Sequence, residues 1–128
     1  MGKQSLKTLI LIIAAFIITE NVIAQNQKPY VRIAKIVVDS AQLDAYKTEL
    51  KTGIATAVRE EAGVLTMYAV FDNKQPTHIT ILETYASMEA YQSHIQTPHF
   101  KKYKSTTLAM VKSLELIDVT PIAYELKK

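Results

Sequence analysis

Cysteine is absent from the 128 residues of this chain. Its absence excludes a disulfide framework, a thiolate zinc site, an iron–sulfur cluster, a cysteine nucleophile and a lipid anchor on cysteine. A strong charge of one sign is also missing, because the formal net charge is only +3. The one basic cluster, Lys101, Lys102 and Lys104, falls on a helix pattern where a solvated face explains it. We therefore expect no nucleic-acid partner, since such binding requires a concentrated basic patch.

What the sequence does contain is the composition of one small globular domain. Apolar residues make up 48% of the chain and charged residues 21%, a balance that is not typical of disordered proteins. A domain of this size buries a limited core by itself. Burial of further apolar surface in an oligomer would therefore stabilise it.

The first 24 residues have the pattern of a signal peptide. Lys3 and Lys7 precede an uninterrupted apolar run from Leu9 to Ile18, and the segment Val22–Ala24 suits a signal peptidase. The run is too short to span a bilayer, which takes about 20 apolar residues. We predict cleavage after Ala24 and an exported protein, periplasmic or secreted, without stable membrane insertion. An uncleaved membrane anchor is the alternative.

Residues 25–128 are predicted to form the folded domain. The apolar spacing and the turn residues predict strands over 30–38, 64–71, 77–85 and 114–124, and helices over 41–62, from 87 and from 97. Asp39 or Ser40 can cap the first helix, and Gly63 is placed to end it as a C′ glycine. Thr97-Pro98 is expected to restart a helix, as an N-cap followed by proline at the first helical position.

This order of elements predicts an α+β fold with a ferredoxin-like split βαβ antiparallel sheet. Such a sheet carries its helices on one face. The chain has no further element to cover the opposite face, so a second copy of the same sheet is expected to cover it. We therefore predict a homodimer with two-fold symmetry.

The candidate chemistry concentrates around two histidines. His94 and His99 lie among the aromatic residues Tyr85, Tyr91, Phe100 and Tyr103, whereas the third histidine, His78, follows a turn and has a surface position as its default. The spacing of His94 and His99 across a helix break is not a metal signature, so we expect no bound metal. A neutral imidazole beside phenols in an apolar pocket could act as a general base. In the alternative interpretation, one imidazole binds a backbone carbonyl and the other is exposed.

Glu83 is the third candidate for chemistry. It alternates with Ile79 and Ile81 on one face of a predicted strand, where a carboxylate is costly unless it is paired. It therefore either points into a polar cavity or forms an ion pair with Arg32 or Lys35. In the neighbouring strand Met67 and Tyr68 face opposite sides, so one of them lines the space between sheet and helices.

The stretch from Glu83 to Phe100, with Glu-x-aromatic followed by a helical histidine and then Thr-Pro-His-aromatic, resembles the antibiotic biosynthesis monooxygenase family. The segment with Glu60, Glu61, Gly63 and Tyr68 fits the same family. The resemblance covers nearly all of residues 25–128. Its motifs are more specific for the family than for one activity within it.

The resemblance implies a dimeric α+β barrel with a pocket between the sheet and the helices of each subunit. It also implies oxidation of a quinol or another small aromatic polyphenol by dioxygen without a cofactor, since the substrate is its own reductant. His94 or His99 would take the proton and Glu83 would orient a histidine or a substrate hydroxyl. Substrate-binding residues would be Tyr68, Tyr85, Tyr91, Phe100 and Tyr103. We expect a pocket of roughly 300 Å³ or more.

Two other functions stay open for a chain with these motifs. Some family members degrade haem, but they use a tryptophan at the position of Tyr85, and this chain has no tryptophan. Another relative isomerises a phosphorylated keto-sugar of the autoinducer-2 type and shares the Thr-Pro-His pattern, although a cytosolic substrate fits an exported chain badly. The second open function is that of a dimer that binds a small ligand or serves in a stress response without catalysis.

Overall fold

A computed structural model describes residues 27–128, and the predicted signal peptide lies outside them. Among the described residues no helix is both long enough and apolar enough to cross a membrane. Two single-turn 3₁₀ helices, Ser40–Gln42 and Leu108–Met110, join longer elements. Those elements, in chain order, are β1 (Tyr30–Val38), α1 (Leu43–Glu60), β2 (Val64–Phe71), β3 (His78–Tyr85), α2 (Met88–His94), α3 (Pro98–Thr107) and β4 (Val111–Val119).

The four strands form one antiparallel sheet in the order β2-β3-β1-β4. β3 lies between β1 and β2, which are joined through α1, and this is the split βαβ arrangement. The predicted α+β, ferredoxin-like fold class is therefore confirmed. The register places Glu83 of β3 beside Arg32 of β1 on one side and beside Met67 of β2 on the other.

One face of the sheet packs against the helices and forms the core. Ala34, Ile36 and Val38 of β1 cluster there with Tyr46 and Leu50 of α1. Tyr46 is fully buried, and its hydroxyl shares a 2.7 Å hydrogen bond with that of Tyr103, which satisfies the polar ends of two core phenols. This packing fixes the distance between the sheet and both α1 and α3.

Side-chain caps set where the helices begin. The Asp39 carboxylate accepts a hydrogen bond from the Ala41 amide at 2.9 Å, and Ser87 Oγ accepts one from the Ala90 amide at 3.1 Å. Thr97 Oγ1 accepts one from the Phe100 amide at 3.2 Å and is followed by proline at the first helical position. The starts expected for α2 and α3 from these residue types are confirmed. Asp39 caps the 3₁₀ turn Ser40–Gln42, whereas α1 begins at Leu43 without a side-chain cap, two residues later than expected.

The structure also corrects the end of α1 and both ends of the last strand. α1 ends at Glu60 and Glu61 is already extended, and Gly63 does not adopt the left-handed conformation of a C′ glycine. Gly63 is instead required by a close approach, because a Cβ there would lie 2.6 Å from the Cβ of Ala90. The last strand starts at Val111 rather than at residue 114 and ends at Val119, before Pro121, which cannot donate to a ladder.

We predict that Gly63→Ala destabilises the fold by about 1–3 kcal/mol, because the new methyl group has to displace the backbone that carries Ala90. The matched control is Gly53→Ala, where a Cβ would lie 3.7 Å from the Tyr103 ring. That substitution in a helix interior should raise stability by about 0.5–1 kcal/mol. Urea unfolding of both variants measures the difference, and equal stabilities would contradict this role of Gly63.

Candidate functional site

A cavity of about 110 Å³ lies between the helix-facing side of the sheet and the three helices. Its floor is apolar, with Ala34, Ile36 and Ile81 from the two central strands. Every sequence-predicted site residue except Tyr68 lines it. These residues are Glu83 and Tyr85 from β3, Tyr91 and His94 from α2, and His99, Phe100 and Tyr103 from α3.

The two histidines are joined by a carboxylate that the sequence did not single out for chemistry. Glu61 Oε2 lies 2.8 Å from Nδ1 of His94 and 2.7 Å from Nε2 of His99. All three side chains are largely shielded from solvent, with 7%, 13% and 21% of the surface exposed for His94, Glu61 and His99. Among residues 27–128 neither imidazole hydrogen-bonds a backbone carbonyl, and neither is fully exposed. The alternative with one imidazole on a carbonyl and the other exposed is therefore wrong.

Local sequence explains how three residues from three elements meet. Glu61 is the first residue after α1, and its extended backbone turns its side chain away from the helix direction. His94 is the last residue of α2 and His99 the second residue of α3. The Thr97-Pro98 break between those helices changes the chain direction and brings the two ring centroids to 6.3 Å.

The hydrogen bonds determine the tautomer of His94. A carboxylate can only accept hydrogen bonds, so each imidazole presents an N–H to Glu61. The proton of a neutral His94 therefore resides on Nδ1, and Nε2 carries the free electron pair. Within the described chain the His94 ring makes no other hydrogen bond, and its Nε2 is not sealed in the core. His94 is consequently oriented as a base that lines the cavity.

Aromatic rings surround that base. The His94 ring lies 5.5 Å from the ring of Tyr85 and 4.9 Å from that of Phe100, in an edge-on arrangement with the latter. Tyr85 in turn packs edge-on against Tyr91 at 5.3 Å. Offset and edge-on contacts of this kind hold rings in place. They also leave an apolar surface on which a flat ligand can lie.

Glu83 and Tyr85 form a second polar pair on the cavity wall. The Tyr85 hydroxyl donates to Glu83 Oε2 at 2.9 Å. Burial raises the pKa of Glu83, although the Tyr85 hydrogen bond and the Arg32 charge oppose the shift. Burial and the neighbouring Glu83 charge raise the pKa of Tyr85 as well, so this phenol remains a hydrogen-bond donor.

Arg32, which the sequence offered as an ion-pair partner of Glu83, binds other groups instead. Its guanidinium binds Asp118 at 3.0 Å and donates to the Tyr91 hydroxyl. It also lies 4.4 Å from the centre of the Tyr91 ring, within the range of a cation–π contact. The structure therefore supports the prediction that Glu83 points into a cavity over the prediction that it forms an ion pair.

Tyr68 does not join the other candidates. It is 70% exposed and pairs with Leu82 on the sheet face opposite the helices. Since side chains alternate along a strand, its neighbour Met67 lines the cavity instead. The placement of Tyr68 among the ring-holding residues is corrected accordingly. His78 is exposed, as expected.

Comparisons with known proteins agree with this architecture. Residues 29–106 match the model of the family described as antibiotic biosynthesis monooxygenase. A candidate antibiotic biosynthesis monooxygenase from Bacteroides thetaiotaomicron is 50% identical, with a TM-score of 0.75 over 82% of this chain and 98% of that one. No protein in the search of curated proteins matches.

Two further solved structures share the fold. A candidate monooxygenase from Lactobacillus acidophilus is 28% identical with a TM-score of 0.72, over 74% of this chain and 45% of that one. This chain therefore spans less than half of that protein. A candidate antibiotic biosynthesis monooxygenase from Nitrosomonas europaea is 17% identical with a TM-score of 0.70, over 76% of this chain and 93% of that one.

We predict that Glu83→Gln raises the thermal unfolding midpoint at pH 8 and that the gain fades towards pH 4. The folded pKa of Glu83 is raised, so its charged form penalises the fold above that pKa, and the penalty vanishes below the unfolded value of about 4.3. Glutamine keeps an oxygen that can accept from Tyr85. The exposed Glu125→Gln is the control and should show no such pH dependence; a gain that is independent of pH would refute the explanation.

Proposed function

Because this chain belongs to the antibiotic biosynthesis monooxygenase family, we propose that it is a cofactor-independent monooxygenase that oxidises a small quinol with dioxygen. The observation that carries the proposal is the imidazole of His94, held by Glu61 with its Nε2 free beside an aromatic cavity. The signal-peptide pattern of residues 1–24 supports an activity outside the cytoplasm.

In the proposed reaction His94 removes a phenolic proton from the quinol. Glu61 keeps His94 in the productive tautomer and stabilises the imidazolium that forms, and His99 supports Glu61 from its other side. The Tyr85 hydroxyl and Glu83 lie on the same wall, where they can hydrogen-bond the second hydroxyl of the substrate. Phe100 and Tyr91 provide apolar surface for the ring.

The deprotonated quinol is electron-rich and can reduce dioxygen directly. A bond forms between a ring carbon and one oxygen atom, and the loss of water then leaves a hydroxylated quinone. One oxygen atom of O₂ enters the product and the other leaves as water, so the quinol supplies all four electrons. The protein contributes proton removal, orientation and exclusion of water.

The size of the cavity favours a small substrate. Its volume of about 110 Å³ is below the expected 300 Å³ and resembles the roughly 150 Å³ of an engineered cavity that binds benzene. A single substituted ring matches this space better than a fused ring system. We therefore favour a monocyclic hydroquinone over a bicyclic one such as menadiol.

Oxygen uptake with methylhydroquinone tests the activity. We expect turnover above the uncatalysed rate, one ¹⁸O atom from ¹⁸O₂ in the product, and a higher kcat/KM than with menadiol. His94→Gln should lower kcat roughly 100-fold or more, because it removes the base. His78→Gln on the exposed surface is the matched control and should keep wild-type rates.

Two results would contradict the proposed chemistry. One is a wild-type rate equal to the background, which would favour a binding protein without catalysis. The other is a quinone product without ¹⁸O, which would identify an oxidase rather than a monooxygenase. Circular dichroism of the His94→Gln variant separates a loss of chemistry from a loss of fold.

We also propose that two copies associate through the sheet face opposite the helices. Tyr68, Val70 and Leu82 are 70%, 45% and 40% exposed on that face. A contiguous apolar surface in contact with water is typical of an interaction site. A second copy would cover it with a self-complementary surface.

Sedimentation velocity tests this association. We expect the wild-type protein to sediment as a dimer and Leu82→Glu to shift it towards the monomer, because a carboxylate would be buried at the interface. Leu108→Glu introduces the same charge at a site that is 73% exposed and outside the sheet, and this variant should remain dimeric. A monomeric wild-type protein, or equal behaviour of the two variants, would rule out this interface.

A further inference from the structure

We propose that Glu61, His94 and His99 form a binding site for one divalent transition metal ion of the zinc class, and that the bound metal inhibits the enzyme. The inhibitory half of this proposal rests on the proposed function, whereas the binding half depends only on the geometry of the three side chains. No ligand spacing in the sequence marks the site, because Glu61 lies on a different element from both histidines.

The three potential ligand atoms converge closely enough for a metal. Glu61 Oε2, His94 Nδ1 and His99 Nε2 all lie within 4.8 Å of one another, and Glu61 Oε2 is 2.8 and 2.7 Å from the two nitrogens. Ligand bonds of about 2.0 Å in a tetrahedral site place donor atoms about 3.3 Å apart. Small side-chain rotations would therefore convert the hydrogen-bonded triad into a coordination site.

The donor set selects the class of metal. Two imidazoles and one carboxylate suit borderline ions such as Zn²⁺ and Co²⁺, and they disfavour Ca²⁺ and Mg²⁺, which prefer oxygen ligands. Three protein ligands leave at least one position open for water or substrate oxygen. Glu60 Oε2 lies 3.9 Å from Nδ1 of His99, where it could orient the ring that binds the metal.

The inhibitory effect follows from the tautomers. A metal on Nδ1 of His94 takes the position of the proton that Glu61 now accepts, and that proton then resides on Nε2. Nε2, which carries the free electron pair in the metal-free protein, thereby becomes a donor and can no longer remove a phenolic proton. Metal binding and base catalysis are mutually exclusive states of the same imidazole.

Titration of the untagged, chelator-treated protein with Zn²⁺ and with Co²⁺ tests the binding half. We expect one ion per chain by calorimetry and a visible Co²⁺ spectrum of low coordination number. Glu61→Gln and His99→Ala should each weaken Zn²⁺ binding by about 100-fold or more, since each removes a direct ligand. His78→Gln should bind as the wild type does, and Mg²⁺ should produce no heat.

Two results would overturn metal binding at this site. One is the absence of Zn²⁺ binding to a protein shown to be folded by circular dichroism. The other is equal affinity in the wild type, Glu61→Gln and His99→Ala, which would identify adventitious surface binding. Two separate variants are needed so that a folding defect in one of them leaves the result interpretable.

Oxygen uptake with and without Zn²⁺ tests the inhibitory half. Saturating Zn²⁺ should abolish quinol turnover and a chelator should restore it. Activation by Zn²⁺ or Fe²⁺ would overturn the inhibitory role and the cofactor-independent chemistry, while leaving the metal site supported. Full activity without any metal binding would overturn the metal site and leave the proposed oxygenase in place.

Discussion

The candidate site depends on one carboxylate oxygen that two imidazoles share. Glu61 Oε2 accepts from His94 on one side and from His99 on the other, and a carboxylate held by two N–H donors has little freedom to rotate. This interaction fixes the orientation and tautomer of His94. It also ties the end of α1 to α2 and α3, so the same contact that orients His94 closes the helical side of the cavity.

The sheet forms the floor and one wall of the cavity beside Glu61, His94 and His99. The sheet presents Glu83 and Tyr85 from a central strand, and the register of β1 beside β3 fills the rest of the floor with small and branched apolar residues. The burial that raises the pKa of Glu83 and of Tyr85 would also keep water from competing with the ring of the proposed substrate. The desolvation penalty of burying Glu83 and Tyr85 is limited because the Tyr85 hydroxyl donates a hydrogen bond to Glu83.

Much of this could be predicted from the sequence, for identifiable reasons. Apolar periodicity gave the order of strands and helices, and local chemistry at Ser87 and Thr97 placed the starts of α2 and α3. Glu61 was missed as a partner of the histidines because its contacts are long-range, and Tyr68 was misplaced because alternation shows that two residues face opposite sides without showing which faces the helices. Gly63 was misread since a close approach to Ala90 leaves no local signal.

The most direct test of the account is the tautomer of His94, which long-range ¹H–¹⁵N correlation spectra of the imidazole nitrogens report at neutral pH. We predict that the neutral form of His94 carries its proton on Nδ1 in the wild-type protein, and that Glu61→Gln shows a mixture of tautomers. A neutral wild-type His94 with its proton on Nε2, or equal tautomer populations in the two proteins, would contradict the assignment of this imidazole as the base.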